Sequence, residues 1–251
     1  MSSIRSNLSF VLVCLATFSF GCAENVGSIE SQDLNGIYGG HEVSVASNLW
    51  RSSVAIKGDK TTCSGVLVSK NVILTAGHCM WAFEKSKGLT ILFFKGSDAV
   101  SDVYLRDGDY DLVTHPDFDE DGATSAESFH DLGLVVVSWD LAPRTHGAPK
   151  LFAGDLKAGD QLVTVGNGLT ESGTTNTTGE GMLRYVPSKL KSIATKNNGQ
   201  TVRAYSVTSK GNGTCGGDSG GAVYVRTPEN LLALAGVHVS GDDKLSSEIG
   251  C

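Results

Sequence analysis

Ser219 lies in the segment CGGDSGG, where the residue types and their spacing could support nucleophilic catalysis. A serine hydroxyl attacks a carbonyl when a nearby base takes its proton and fixed donors stabilise the oxyanion that forms. The surrounding glycines let the backbone turn tightly and present N–H groups to a cleft. The amides of Gly217 and Ser219 are therefore the candidate oxyanion-hole donors. A glycine-rich surface turn is the alternative interpretation of this segment.

His78 is the candidate base. It follows the β-rich run VILT in the segment LTAGHC, which predicts an imidazole at the end of a strand, on a rigid support. A His beside a Cys could also be a metal ligand or a packed core residue, and a Cys–His thiol enzyme is conceivable. Zinc is disfavoured because no HxxxH or CxxC spacing accompanies His78.

Asp131 is the candidate partner of the base. It opens the segment DLGLVVV, and a carboxylate directly before an apolar strand is expected to be partly buried. A buried carboxylate needs a polar partner, and fixing the tautomer of a histidine meets that need. A solvated aspartate in a turn is the alternative.

These three residues must be positioned by β-structure, because no long segment has a helical period. The chain has 251 residues and 31 glycines, which suits many short strands joined by tight turns. We predict an all-β fold of two successive antiparallel barrels. The runs that predict strands are SVAIK, CSGVLVS, VILT, LTILFFK, YDLVTH and GLVVVS in the first half, and QLVTVG, GMLRYV, VRAYSV, GAVYVR and LLALAGVHV in the second.

The N-terminus predicts export. Arg5 precedes an apolar run from Leu8 to Phe20 that is too short to span a bilayer. We predict a signal peptide over 1–23, with lipidation at Cys22 as the alternative, and a pro-segment over 24–36. The protein would then be secreted, periplasmic or extracellular, and at a bacterial membrane only if it is lipid-anchored.

The net charge and the cysteine content indicate which classes of partner the protein could bind and whether its cysteines could form disulfides. The net charge of −7 argues against nucleic-acid binding, which depends on phosphate contacts. Apart from Cys14 and Cys22, four cysteines remain, and in an exported protein they are disulfide candidates with three possible connectivities.

Five ordered motifs resemble the trypsin/chymotrypsin family of serine proteases over about 200 residues. IYGG resembles IVGG, TAGHC resembles TAAHC, THPDF resembles HPxY, HDLGLVVV resembles NDIALLKL, and GDSGG is identical to the family's serine motif. The resemblance implies a chymotrypsin-like fold of two six-stranded-type barrels within a peptidase domain over 37–251. The first barrel would cover about 37–143 and the second about 144–251.

The resemblance also implies chemistry and cross-links. Ser219 would attack the carbonyl of a protein or peptide substrate, His78 would take and return the proton, and Asp131 would orient His78. Two disulfides are implied, Cys63–Cys79 and Cys215–Cys251. A monomer is expected, with no cofactor.

Activation and specificity follow from further matching positions. Cleavage after Gly36 by an activating protease, one that is not trypsin-like, would free the amine of Ile37 to pair with Asp218. Gly213 occupies the base of the primary pocket and carries no charge, so the resemblance implies an apolar P1 residue rather than Arg or Lys. The pocket wall aligns near Ser240 and Gly241, out of register with the family's SWG.

Two features leave alternatives open. The chain stops at Cys251, one strand short of the family pattern, so the second barrel is predicted to be truncated. A truncated gene, an unusual closure of the barrel and a degenerate protease are the three explanations. The alternative function is therefore a catalytically impaired homologue that acts as a binding or regulatory module. The run DFDEDG resembles the start of an EF-hand loop. It offers a calcium site near Asp117, Asp119 and Asp121 as an alternative to a solvated acidic loop.

Overall fold

A computed structural model describes residues 37, 40–118, 130–141, 144, 147–169, 181–195, 201–208 and 212–240. The predicted signal peptide, Cys22 and the pro-segment lie outside the described residues. Within these ranges, no helix combines the length and the apolar character needed to cross a membrane.

The described part of the chain is built almost entirely from strands. Its elements in chain order are β1 (His41–Glu42), β2 (Ser53–Lys57), β3 (Thr62–Ser69), β4 (Val72–Thr75), α1 (Gly77–Phe83), β5 (Gly88–Lys95), β6 (Asp98–Arg106), β7 (Tyr110–Thr114), β8 (Gly133–Val137), β9 (Gln161–Gly166), β10 (Arg184–Thr195), β11 (Thr201–Thr208), β12 (Ala222–Arg226) and β13 (Leu232–Val237).

The strands form two antiparallel sheets. One runs in the order β6-β5-β2-β3-β4-β8-β7, and the other in the order β1-β10-β9-β12-β13, with β11 also paired to β10. The two curled sheets confirm the predicted all-β, chymotrypsin-like fold. The short strand β1 precedes the first sheet in the chain but pairs with β10 of the second, His41 opposite Tyr185.

The side chains of the central strands point alternately to two faces, and this explains how the two sheets pack against each other. Successive side chains of a strand point to opposite faces. In β2, Val54 and Ile56 face the core of the first sheet, whereas Ala55 faces a second cluster shared with the other sheet. Val163 and Val165 of β9 reach the same shared cluster. Because both faces are covered, the central residues of these strands are mostly apolar.

A third, smaller cluster lies within the second sheet. Leu162, Leu190, Val225 and Ala233 are buried there. Leu162 precedes Val163 in β9, so this strand also presents one face to the shared cluster and the other to its own core. The shared cluster therefore joins two sheets that each have a core of their own.

The helix α1 follows β4 after a single residue. Ala76 has an extended backbone, and Cys79, Met80 and Phe83 bury one face of the helix in the core of the first sheet. Burial of these three side chains, together with the Cys63–Cys79 disulfide, fixes a helix of seven residues that would not be stable alone. The site described next begins on this helix.

Candidate active site

Sheet pairing brings His78 and Asp131 together. Strands β4 and β8 are antiparallel neighbours, and Thr75 at the end of β4 lies opposite Gly133 at the start of β8. His78 follows Thr75 by three residues, and Asp131 precedes Gly133 by two. Both side chains therefore leave the same edge of the sheet, Asp131 at only 6% exposure.

Asp131 accepts two hydrogen bonds from one residue. Its Oδ1 accepts the backbone N–H of His78 at 2.8 Å, and its Oδ2 lies 2.8 Å from His78 Nδ1. A carboxylate only accepts, so Nδ1 carries a proton. In the neutral imidazole the lone pair is then on Nε2, which is the tautomer that a general base needs.

The prediction that His78 ends a strand was wrong in detail. The strand ends at Thr75, and His78 lies in the first turn of α1. The support remains rigid because the helix is anchored by the disulfide and its buried face. Gly77 allows the close approach of Asp131, since a Cβ there would lie 3.1 Å from Asp131 Oδ1 and 3.0 Å from the carbonyl oxygen of Leu132.

Ser219 lies in a tight loop directly before β12. The N–H of Asp218 donates to the carbonyl of Cys215 at 3.1 Å, and the N–H of Gly221 donates to the carbonyl of Asp218 at 2.9 Å. Gly217 has a φ of 94°, a conformation that favours glycine. The glycines that surround Ser219 thus serve the tight turn that the sequence predicted.

The carboxylate of Asp218 holds this loop from inside the second sheet. It is fully buried, and it accepts the N–H groups of Gly168 and Cys215, each at 2.8 Å. Burial raises its pKa from 3.8 to about 6, although the two backbone hydrogen bonds and the charge of Arg184 act to lower it. Asp218 therefore remains short of compensating positive charge.

A second attachment joins the loop to the first sheet. The N–H of Ser64 in β3 donates to the carbonyl of Ser219 at 2.8 Å, and the hydroxyl of Thr75 donates to the carbonyl of Ser64 at 2.8 Å. Ser64 thus lies between the candidate nucleophile and the strand that leads to His78. Sequence reasoning missed Ser64 because it belongs to no motif; its position next to Cys63 was the only available signal.

The trypsin family model matches residues 37–250. The chain belongs to the trypsin family. It is also similar to Hypodermin-A of Hypoderma lineatum, with 34% identity over 70 residues, which is 28% of this chain and 27% of that protein. The matched region thus spans about a quarter of the relative's length.

The trypsin-family match begins at Ile37, the predicted start of the mature chain. Ile37 is buried, at 1% exposure, and its carbonyl accepts the N–H of Gly40 at 2.6 Å. Its φ of 38° is unusual for a β-branched residue. The partner across the predicted cleavage, Gly36, lies outside the described residues.

The predicted disulfides of this trypsin-family chain have different outcomes. Cys63 and Cys79 are joined, which confirms the first pair. Cys215 is also disulfide-bonded. Cys251 lies outside the described residues, so its pairing with Cys215 remains a prediction.

The predicted specificity residues are only partly described. Gly213 is buried two residues before Cys215, and Ser240 is exposed. Gly241 lies outside the described residues. Their role in substrate selection therefore remains a proposal.

Two groups of potential metal ligands lie among the described residues. One is His78 with Cys63 and Cys79, whose sulfurs are joined in a disulfide, and the other includes His130, which precedes Asp131. Ligand atoms of His115, Asp117 and His130 lie within 4.8 Å of one another. However, the two imidazoles are stacked, with centroids 4.7 Å apart and planes 11° apart, and His115 Nδ1 accepts the N–H of Asp117 at 3.1 Å. Two parallel rings cannot both point a nitrogen lone pair at one ion, so this arrangement is not a formed metal site. Asp119 and Asp121 of the predicted calcium loop lie outside the described residues.

Proposed function

We propose that this trypsin-family chain is a serine endopeptidase with His78, Asp131 and Ser219 as its catalytic triad. Ser219 Oγ attacks the substrate carbonyl while His78 Nε2 takes its proton, which gives a tetrahedral oxyanion. The intermediate collapses to an acyl-enzyme as His78 protonates the leaving amine. Water then attacks the ester with His78 again as base, releasing the acid and restoring the Ser219 hydroxyl.

The observation that carries this proposal is the pair of 2.8 Å contacts between His78 and Asp131. They hold the imidazole in the tautomer whose Nε2 can accept a proton. The negative charge of Asp131 also stabilises the imidazolium that forms during both steps. A solvated turn aspartate, the alternative raised by the sequence, would not be buried against a histidine in this way.

The amides of Gly217 and Ser219 are proposed to stabilise the oxyanion. Both belong to the loop that Asp218 and Ser64 hold from opposite sides. Donors that are fixed before the reaction stabilise developing charge without reorganising, which is a large contribution to catalysis.

The proposed substrates are proteins or peptides with an apolar P1 side chain. Gly213 adds no charge to the base of the primary pocket, so nothing at that position would pair with Arg or Lys. Cleavage of a peptide library tests this, and a strict preference for Arg or Lys at P1 would overturn it.

Activation is proposed to occur by cleavage of the Gly36–Ile37 bond. The new ammonium of Ile37 would supply the positive charge that the buried Asp218 lacks. Mass spectrometry of the active form tests this proposal. A mature chain that starts anywhere other than Ile37 would contradict it.

Export is proposed from the N-terminal segment. Secretion would release a soluble protease after cleavage of the signal peptide, whereas lipidation at Cys22 would anchor it. Fractionation of cells that express the chain, with Cys22→Ser as the control, distinguishes secretion from lipid anchoring. A lipid-anchored protein would leave the membrane fraction in the Cys22→Ser variant, whereas a secreted protein would stay in the same fraction.

Labelling with an active-site serine phosphonate tests the enzymatic proposal directly. The form that starts at Ile37 should label and hydrolyse peptides, and Ser219→Ala should do neither. Ser69→Ala, which changes an exposed serine at the end of β3, is the matched control and should label normally. Failure of the Ile37 form to label would favour the impaired homologue with a binding role.

A further inference from the structure

Ser64 is a buried serine whose hydroxyl has three polar neighbours. It is 2% exposed, in β3, next to the disulfide-bonded Cys63. Its Oγ lies 2.9 Å from the carbonyl oxygen of Gly217, 2.5 Å from the side-chain amide of Asn167 and 3.0 Å from the backbone nitrogen of Asn167. Its N–H donates to the carbonyl of Ser219. One residue of the first sheet thus touches both proposed oxyanion residues.

The hydroxyl of Ser64 has one proton and two lone pairs to share among these three groups. The backbone N–H of Asn167 can only donate, so it occupies one lone pair. The carbonyl of Gly217 can only accept. The side chain of Asn167 offers an oxygen or an NH₂ group, and its orientation decides where the Ser64 proton goes.

The lengths of these contacts show how the Ser64 proton is shared. The 2.5 Å contact with the Asn167 side chain has the length of an O–H···O bond and is too short for an N–H···O bond, so Oδ1 faces Ser64 and accepts. The carbonyl of Gly217, at 2.9 Å, accepts from the same hydroxyl. The Ser64 proton therefore lies between two acceptors in a three-centre hydrogen bond, while the backbone N–H of Asn167 donates to the Ser64 oxygen.

We infer that Ser64 is a positioning residue for catalysis, whose hydroxyl donates to the Gly217 carbonyl and thereby fixes the oxyanion loop. The inference rests on the proposed function. Gly217 has no side chain, so packing does not restrain its peptide groups, and hydrogen bonds must do so. Ser64 holds the carbonyl of Gly217 through its hydroxyl and the carbonyl of Ser219 through its N–H.

These contacts attach the loop that carries Ser219 to both sheets. Asp218 attaches the loop to the second sheet through Gly168, and Ser64 attaches it to the first. The two amides that would stabilise the oxyanion lie between these attachments. Loss of the Ser64 hydroxyl should therefore leave substrate binding intact and weaken stabilisation of the transition state, which lowers kcat rather than raising KM.

The test compares Ser64→Ala with the unchanged enzyme in the form that starts at Ile37, with active sites counted by phosphonate titration. We expect kcat per active site to fall roughly ten-fold, as for loss of one hydrogen bond, while KM stays within about two-fold. Affinity for a peptide aldehyde, whose hemiacetal oxygen occupies the oxyanion position, should fall by the same factor. Ser64→Cys keeps a weak donor and should lose less.

Ser53→Ala is the matched control. Ser53 is a buried serine of the neighbouring strand β2, and its hydroxyl donates to the carbonyl of Leu49 at 2.7 Å, far along the chain from the loop that carries Ser219. It should lose stability but keep its kcat per active site. An equal kcat for Ser64→Ala and the unchanged enzyme, or an equal loss in Ser53→Ala, would overturn the inference.

Deuterium exchange separates this inference from the proposed function. In Ser64→Ala, the amides of the loop over 215–220 should exchange faster than in the unchanged protein or in Ser53→Ala, whether or not the protein hydrolyses peptides. If the protein without substitutions neither reacts with the phosphonate nor hydrolyses peptides, the protease proposal is overturned. If the loop amides of Ser64→Ala exchange at the same rate as those of the protein without substitutions, the role of Ser64 is overturned.

Discussion

Gly220, the residue after Ser219, packs directly against the side chain of Thr75, three residues before His78. A Cβ at Gly220 would collide with Thr75 Oγ1 and with the carbonyl oxygen of Ser64, and its φ of 81° also favours glycine. The missing side chain therefore sets how closely the serine loop approaches the strand that carries the candidate base.

Gly220→Ala should consequently separate the proposed nucleophile, Ser219, from the proposed base, His78. We expect kcat/KM to fall about 100-fold, because a displacement of the order of 1 Å has this effect on positioned groups. Gly108→Ala is the control, since Gly108 has a φ of 90° but open space around its Cβ position. Steady-state kinetics of both variants measure this effect. Normal kcat/KM in Gly220→Ala would show that the close contact between Gly220 and Thr75 is dispensable.

Asp131→Asn should abolish most activity while the site keeps its shape. An asparagine cannot accept from both the backbone N–H and Nδ1 of His78, because it has one acceptor oxygen. The backbone N–H requires that oxygen, so the NH₂ would face Nδ1 and move the proton of His78 to Nε2. We expect kcat at neutral pH to fall about 10⁴-fold. Asp111→Asn, an exposed change in β7, should leave kcat unaltered.

The uncleaved chain should lose stability as the pH rises through the range in which Asp218 ionises. Its pKa is about 6 when folded, against 3.8 as the reference value. A folded-state pKa that is raised gives stability that is complete below pH 3.8 and is lost as the pH rises through 6. The difference corresponds to about 3 kcal/mol of unfolding free energy by pH 7.

Urea unfolding of the uncleaved Ser219→Ala protein between pH 4 and pH 7 measures this effect. Asp218→Asn should flatten the profile over that interval, and so should cleavage before Ile37 if its ammonium compensates the charge of Asp218. A profile that does not respond to Asp218→Asn would assign the pH dependence to other groups.

Removing the Cys63–Cys79 disulfide should destabilise the fold around His78. The bond closes a loop with a sequence separation of 16 residues. A loop of about this size lowers the conformational entropy of the unfolded chain by an amount equivalent to about 3 kcal/mol. The double variant Cys63→Ala, Cys79→Ala should lose about this much unfolding free energy in urea, and a loss below 1 kcal/mol would contradict the expectation.

Sequence patterns predicted most strands, because these strands are apolar and bounded by turns. The runs SVAIK, VILT and QLVTVG coincide with β2, β4 and β9. Strand β6 was missed because its side chains are mostly exposed and include Asp and Ser, so its conformation comes from pairing with β5. The helix α1 was missed because seven residues are too few to show a helical period.

The predicted end of the strand at Val186 was also wrong, since β10 continues through Pro187 to Thr195. Proline normally interrupts a central strand because it cannot donate a hydrogen bond. Here Pro187 pairs with Val163 of β9 on one side. On its other side it lies between the last pairing with β1, at Tyr185, and the first pairing with β11, at Ser188. On that side, no described strand residue is paired with Pro187.

Motif order is the basis for the proposed triad residues, and the structure brings His78 and Asp131 into contact. The contacts that hold the loop around Ser219 could not be read from the sequence. The hydrogen bonds of Ser64 to Asn167 and Gly217 depend on how two sheets meet, and none of these residues forms a spaced pattern with the others. Local propensity carries no information about such contacts.

The position of Ser64 has a consequence for when the protein can act. Its contacts reach across 103 residues to Asn167 and 153 residues to Gly217. Contacts of such long range form late in folding, and a chain emerging from the ribosome folds from its N-terminus. The first sheet can thus close around His78 and Asp131 while the loop that carries Ser219 is still unmade. The proposed activity would therefore arise only when the second sheet docks, and an unfinished chain should hydrolyse no peptide bonds.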